Sequence, residues 1–91
     1  MARYRLLIKP SAVKDIEAIP LKRDRQRVVE RISKLAEDPR PLGSEKISGQ
    51  DKYRVRQVRY RILYAIEAQD LLVQVVKVGH RKDVYRQEHQ G

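Results

Sequence analysis

Apolar positions change period near the middle of the chain. From Ala12 to Ile19 they fall at Ala12, Val13, Ile16 and Ile19, which is helical spacing, and Pro20 ends that segment because it has no N–H to donate. Ser11 stands where a helix N-cap is expected. A second, longer helix is predicted from about Leu21 to Glu37. Leu21, Val28, Ile32 and Leu35 share one face there, while Lys22, Arg23, Arg27, Arg31 and Lys34 populate the rest and read as a solvated outer face. Ahead of both, Arg3 to Lys9 alternates loosely around Leu6, Leu7 and Ile8 and ends at Pro10, as a first strand does.

The stretch Asp38-Pro39-Arg40-Pro41-Leu42-Gly43 interrupts regular structure. Beyond it the spacing is that of strands: a short one over Glu45 to Ile47, a turn around Gly49, then Lys52 to Gln57, Arg59 to Glu67 and Leu71 to Val78. Ala68-Gln69-Asp70 forms the turn between the last two. The final run, LLVQVVKV, is apolar on both faces for most of its length, which suits an interior strand. Gly79 ends it, and Lys82 to Gln90 is a short polar segment. The predicted class is α+β.

A chain of 91 residues has material for a single core, so residues 1–91 read as one domain. The formal charge of +9 changes the picture more than the length does. It divides as +5 over residues 1–50 and +4 over residues 51–91, so no basic tail carries it. A folded body this basic draws polyanions by long-range field and counterion release, and nucleic acid is the expected partner. There is no cysteine and only two histidines, which removes disulfides and thiolate sites and gives no reason to expect a structural metal. No cofactor is expected. The apolar run Leu6 to Ile8 is too brief for a signal peptide, and nothing approaches the roughly 20 apolar residues that span a bilayer. A cytoplasmic location without membrane attachment is the expectation.

Charge is densest in Lys52 to Arg61, KYRVRQVRYR, where five of ten residues are basic and none is acidic. Opposite residues of an antiparallel pair share a face, so the connection between these two strands decides which side chains converge. With a four-residue loop from Gln57 to Tyr60, Arg56 faces Arg61, Val55 faces Ile62, Arg54 faces Leu63 and Tyr53 faces Tyr64. One side then carries Tyr53, Val55, Ile62 and Tyr64, and the other Arg54, Arg56 and Arg61. Any even loop gives the same partition; a two-residue loop is disfavoured because Val58 resists the positive φ of tight hairpin turns. Like charges on one sheet face repel, and planar guanidinium groups are suited to gripping phosphate. Solvated arginines on a sheet are the plain alternative.

Gly79-His80-Arg81-Lys82 leaves the last strand, bringing Arg81 near the same surface if that strand neighbours Arg59 to Glu67. His80 is the ionisable group of this region whose ordinary pKa lies near neutrality, which makes it an acid or base candidate. Tyr85 follows four residues after Arg81. Lys46, Lys52, Arg59 and Lys82 are further candidates for contact with RNA.

In order and spacing, the strand, the two helices with the first closing before a proline, the ISG turn, YRVR, YRILY and VGHRKDVY resemble the RelE branch of the RelE/ParE toxin superfamily over nearly the whole chain. The resemblance implies a small curved, mostly antiparallel sheet of four to five strands with two N-terminal helices packed on one face. It implies a toxin of a type II toxin-antitoxin pair that enters the A site of the 70S ribosome, cuts mRNA there, and is held inactive by a RelB-like antitoxin. Carried over by position, the family's basic catalytic residues fall on Arg54, Arg56, Arg61 and Arg81, and its C-terminal tyrosine on Tyr85. The best-studied members have lysine at the positions of Arg54 and Arg56. Lysine can lose its proton when crowded by cations and arginine effectively cannot, so these two are stabilisers rather than bases. The connections before Tyr60 and between Arg81 and Tyr85 are also shorter.

The reaction so implied is attack of an RNA 2′-OH on the adjacent phosphate without a metal, with His80 or Tyr85 left to move protons. Two other readings stand beside it. One is a ParE-like, non-hydrolytic inhibitor of DNA gyrase, and the other a basic RNA-binding domain without catalysis.

Overall fold

The two halves of the periodic pattern become two layers in a computed structural model, which describes residues 3–47, 52–57 and 59–80. The order is β1 (Arg5–Ile8), α1 (Pro10–Glu17), α2 (Lys22–Leu35), β2 (Glu45–Lys46), β3 (Lys52–Gln57), β4 (Tyr60–Glu67) and β5 (Leu72–His80), with a 3-10 turn over Ala68–Asp70 before β5. The strands form one open sheet in the order β1-β5-β4-β3-β2. β1 runs parallel to β5 and every other neighbouring pair is antiparallel. The α+β class and the mostly antiparallel sheet agree with expectation, and β5, apolar on both faces, lies inside the sheet between β1 and β4. β5 runs two residues further than Val78, through Gly79 to His80.

Both helices cover one face. Ala12, Ile16 and Ile19 from the α1 region and Val28, Ile32 and Leu35 from α2 pack on Val55, Ile62, Tyr64, Ile66, Val73 and Val75. Not every residue at helical apolar spacing is inside: Val13 is 39% exposed and Leu21 57%. The buried stripe of α1 is narrow because the helix has only eight residues, and Leu21 precedes the first turn of α2 as its N-cap. Among the described residues no helix is long and apolar enough to cross a membrane.

The start of α1 differs from the sequence expectation. The helix begins at Pro10, with Lys9 at the N-cap and no capping side chain. Proline suits that first position, since its φ is already helical and its missing N–H is one the helix would leave unpaired. Ser11 is thereby drawn inside the helix, and its hydroxyl donates instead to the Val76 carbonyl at 3.2 Å. Val76 is the extra residue of a β-bulge: Leu63 pairs with Lys77 while Tyr64 pairs with Val75. Asp15, one turn further along α1, accepts a hydrogen bond from the Val78 backbone N–H at 3.1 Å and lies 3.5 Å from the Lys77 ammonium. α1 therefore closes the edge of β5 that β1 is too short to cover. Asp15→Ala is expected to cost about 1–2 kcal/mol by leaving that N–H without its partner. A urea midpoint equal to the wild-type value would remove Asp15 from this role.

The loop after α2 is tied down by Tyr64. This side chain is fully buried, stacks on Tyr53 at a centroid distance of 5.9 Å, and donates its hydroxyl hydrogen to the Pro39 carbonyl at 2.7 Å. The Arg40 guanidinium lies 5.4 Å over the Tyr53 ring and donates to its hydroxyl at 3.2 Å. Burial pushes the Tyr64 hydroxyl above the ordinary tyrosine pKa, and a hydrogen bond with Ser44 works the other way. Tyrosine in the unfolded chain ionises near ~10, before the folded one does, so the folded state keeps a proton that the unfolded state has lost. This contribution to stability is complete below pH ~10 and is lost as pH rises through the folded pKa. Tyr64→Phe has no such titration, so the gap between wild-type and variant urea midpoints is expected to narrow above that pH.

Candidate nucleic-acid interface

The pairing of β3 with β4 sets the face on which each arginine stands. Gln57 pairs with Tyr60, Arg56 with Arg61, Val55 with Ile62, Arg54 with Leu63, Tyr53 with Tyr64 and Lys52 with Ala65. Residues 58 and 59 are thus the whole connection, two residues rather than four; the partition is the same because both lengths are even. Val58 itself lies outside the described residues. Val55, Ile62 and Tyr64 are buried under the helices, so Lys52, Arg54, Arg56 and Arg61 occupy the opposite face by alternation. Lys52, a further candidate for RNA contact, stands on the same side as the arginines.

These residues differ in exposure. Arg56 is exposed, whereas Arg61 is only 4% exposed. The residue opposite Arg61 on β5 is Gly79, which contributes no side chain to that part of the face. Arg54 pairs across β2 with Glu45, and its guanidinium lies 3.6 Å from the Glu45 carboxylate. A cleft of about 350 Å³ opens along β3, lined by Glu45, Arg54, Val55, Arg56 and Arg61 and, from outside the sheet, by Arg31, Leu42 and Gly43. Pro41 to Ser44 form a turn closed by a Ser44 N–H to Pro41 carbonyl bond of 3.0 Å, with Gly43 at φ +94° in the position where this turn requires glycine. The turn, held to the sheet by the Tyr64–Pro39 bond, sets one wall of the cleft. Arg31 reaches the cleft from α2, its guanidinium 3.4 Å from the Leu42 carbonyl.

Four guanidinium groups and one carboxylate line this cleft, a donor set whose chemistry suits an anion such as a phosphodiester. Arginine retains its proton and supplies planar, paired donors, so the group can bind an anion and stabilise added charge on it. Among the described residues no three carboxylate or imidazole groups gather as they would to hold a metal ion.

A family model described as the ParE toxin of the type II toxin-antitoxin system parDE matches residues 6–85, most of the chain. The chain belongs to this toxin family. Within the RelE/ParE superfamily its likeness to solved structures lies with the RelE branch. The RelE–RelB complex from Pyrococcus horikoshii contains a chain 29% identical to this toxin, with a TM-score of 0.77 over 89% of this chain and 97% of that one. The RelB–RelE complex from Methanococcus jannaschii gives 26% identity and a TM-score of 0.69 over 88% and 95%. A mutant of the E. coli toxin RelE in the free state shares the fold at 22% identity, with a TM-score of 0.76 and 92% of both chains covered. No curated protein matches the chain.

The toxin does not bring all the candidate residues together. His80 pairs with Tyr60 and meets its ring edge-on at 5.8 Å. Tyr60 packs against the core cluster, so His80 stands on the helix side of the sheet, away from Arg54, Arg56 and Arg61. Gly79 does not end the strand before it; one further residue of pairing turns His80 to the other face. Lys46 pairs with Tyr53 and takes the tyrosine side, and Arg59 is exposed in the tight turn. Arg81, Lys82 and Tyr85 lie outside the described residues. Two cleft residues were not among the sequence candidates. Arg31 had been grouped with the solvated face of α2, yet it directly precedes the buried Ile32 and flanks the apolar stripe, which was the available signal. Glu45 gave none beyond its place at the start of a short strand.

Proposed function

We propose that this toxin cuts mRNA on the ribosome, in the A site, by attack of a 2′-OH on the adjacent phosphate, and that a RelB-like antitoxin neutralises it. The observation that carries this reading is the convergence of Arg54, Arg56 and Arg61 on one face of the sheet, along a cleft whose lining suits a phosphodiester. Arg56 and Arg61 hold the scissile phosphate, and Arg54 anchors the neighbouring backbone. Arg81 adds charge stabilisation, and Tyr85 takes part in proton transfer or stacks on a base. His80, on the other face, has no part in the step. The products are a 2′,3′-cyclic phosphate and a 5′-OH. The net charge of +9 favours an antitoxin that is acidic at least in part, and the RelE–RelB complexes among the relatives support a partner of that kind.

The match to a ParE family model favours a second reading, inhibition of DNA gyrase without hydrolysis. Induced expression with and without a RelB-like antitoxin, followed by primer extension on ribosome-bound messenger and a gyrase supercoiling assay, separates the two. Breaks within codons that disappear on antitoxin co-expression are the expected result. Intact messenger together with inhibited gyrase would replace the first reading by the second.

A further inference from the structure

Arginines can grip and stabilise the phosphate, but none can take the 2′-proton. Among the described residues that line the cleft, the group able to do so is the Glu45 carboxylate. Glu45 stands directly opposite Arg54 in the β2–β3 ladder, so it shares a face with the arginines. Its side chain is 61% exposed, open to substrate, and its carboxylate lies 3.6 Å from the Arg54 guanidinium. That separation exceeds the ~2.7–2.9 Å of a tight charge-assisted hydrogen bond, leaving acceptor capacity on the carboxylate. Among the described residues the charged groups around it are Arg54 and Arg56 from β3, Arg61 from β4 and Arg31 from α2, all cationic; Leu42 and Gly43 add no charge.

We propose that Glu45 is the general base of the cleavage step, an assignment that rests on the nuclease reading above. Its carboxylate takes the proton of the 2′-OH as the 2′-oxygen bonds to phosphorus. The bond from phosphorus to the 5′-oxygen breaks, that oxygen takes a proton from solvent, and Glu45 then returns its own proton to solvent. Arg54 orients the carboxylate, while Arg56 and Arg61 hold the phosphate whose ribose presents the hydroxyl.

A counterion that merely balances Arg54 would act on binding; a base acts on the chemical step. The test is single-turnover cleavage of ribosome-bound messenger by the full chain and its Glu45→Gln and Glu45→Asp variants across a pH series. Binding is measured separately on a messenger carrying a 2′-deoxy nucleotide at the cut site. Glu45→Gln is expected to lower the single-turnover rate by about 100-fold or more with binding unchanged. It is also expected to lose the acid limb of the pH–rate profile, and Glu45→Asp to recover part of the rate. A Glu45→Gln variant that cleaves at the wild-type rate, or that loses rate only through weaker binding with the acid limb intact, overturns the assignment while leaving the nuclease reading in place. A wild-type chain that leaves the messenger whole overturns both.

Discussion

On the proposed nuclease reading, replacing Arg61 with alanine is expected to lower ribosome-dependent cleavage by on the order of 100-fold, the typical loss when one preorganised donor to a developing oxyanion is removed. Arg61 holds this place among the basic residues because it is at once charged and almost fully buried. Its guanidinium works where water screens it least, so its field at a bound phosphate exceeds that of the exposed Arg56. Arg61→Lys keeps the charge but loses the paired donors of the planar fork, and an intermediate rate is expected. Arg61 sits directly across from Arg56, a like-charged cross-strand neighbour, but it is almost fully buried and has contacts of its own to lose. The rate is therefore normalised to the folded fraction given by the far-ultraviolet circular dichroism and the urea midpoint, and the loss is expected to persist after that normalisation. Wild-type cleavage by Arg61→Ala would show that this face is not where the scissile phosphate binds.

The largest loss of stability is expected from Tyr64→Ala, about 3–5 kcal/mol, the usual cost of truncating a large aromatic in a packed core. Single domains are stable by only about 5–15 kcal/mol, and a 91-residue chain has a small core to draw on, so this variant should be largely unfolded at physiological temperature. Three contributions disappear together: the burial of the ring, its stacking on Tyr53, and the hydrogen bond to Pro39. The last also releases the turn that walls the cleft, so residual activity should fall further than the folded fraction does. Tyr64→Phe keeps the first two and is expected to cost about 1–2 kcal/mol, from a carbonyl left without its donor. A Tyr64→Ala variant that melts with the wild-type midpoint would mean that the loop is held by something other than this side chain.

Much of the fold could be read from the chain because its elements follow local rules. Helical spacing with Pro20 located α1 and α2, alternation located β3 and β4, and the two-sided apolar run of β5 placed it inside the sheet. Where boundaries moved, a neighbour moved them. Pro10 rather than Ser11 opens α1, because Ser11 has a partner on β5 that no local pattern reveals. The loop joining β3 and β4 contains Val58, a residue that tight turns disfavour, yet the ladder runs on to Gln57 and Tyr60 because the long pairing of the two strands outweighs one poor turn residue.

The alternation of Lys52 to Arg61, joined by a connection of even length, was enough to put Arg54, Arg56 and Arg61 on one face, since side chains of paired strands alternate with period two whatever lies around them. Tertiary structure alone decided what stands beside that face. Arg31, Leu42, Gly43 and Glu45 come from a helix, a turn and an edge strand, and no periodicity relates them to Arg61. They meet it because α2 packs on the back of the sheet, Tyr64 fastens the following loop to Pro39, and β2 pairs with β3 opposite Arg54. Those are contacts between residues far apart in the chain, set by packing and pairing rather than by neighbours in sequence. For that reason the arginines proposed to hold the phosphate could be named from ten consecutive residues, and the carboxylate proposed to take the proton could not.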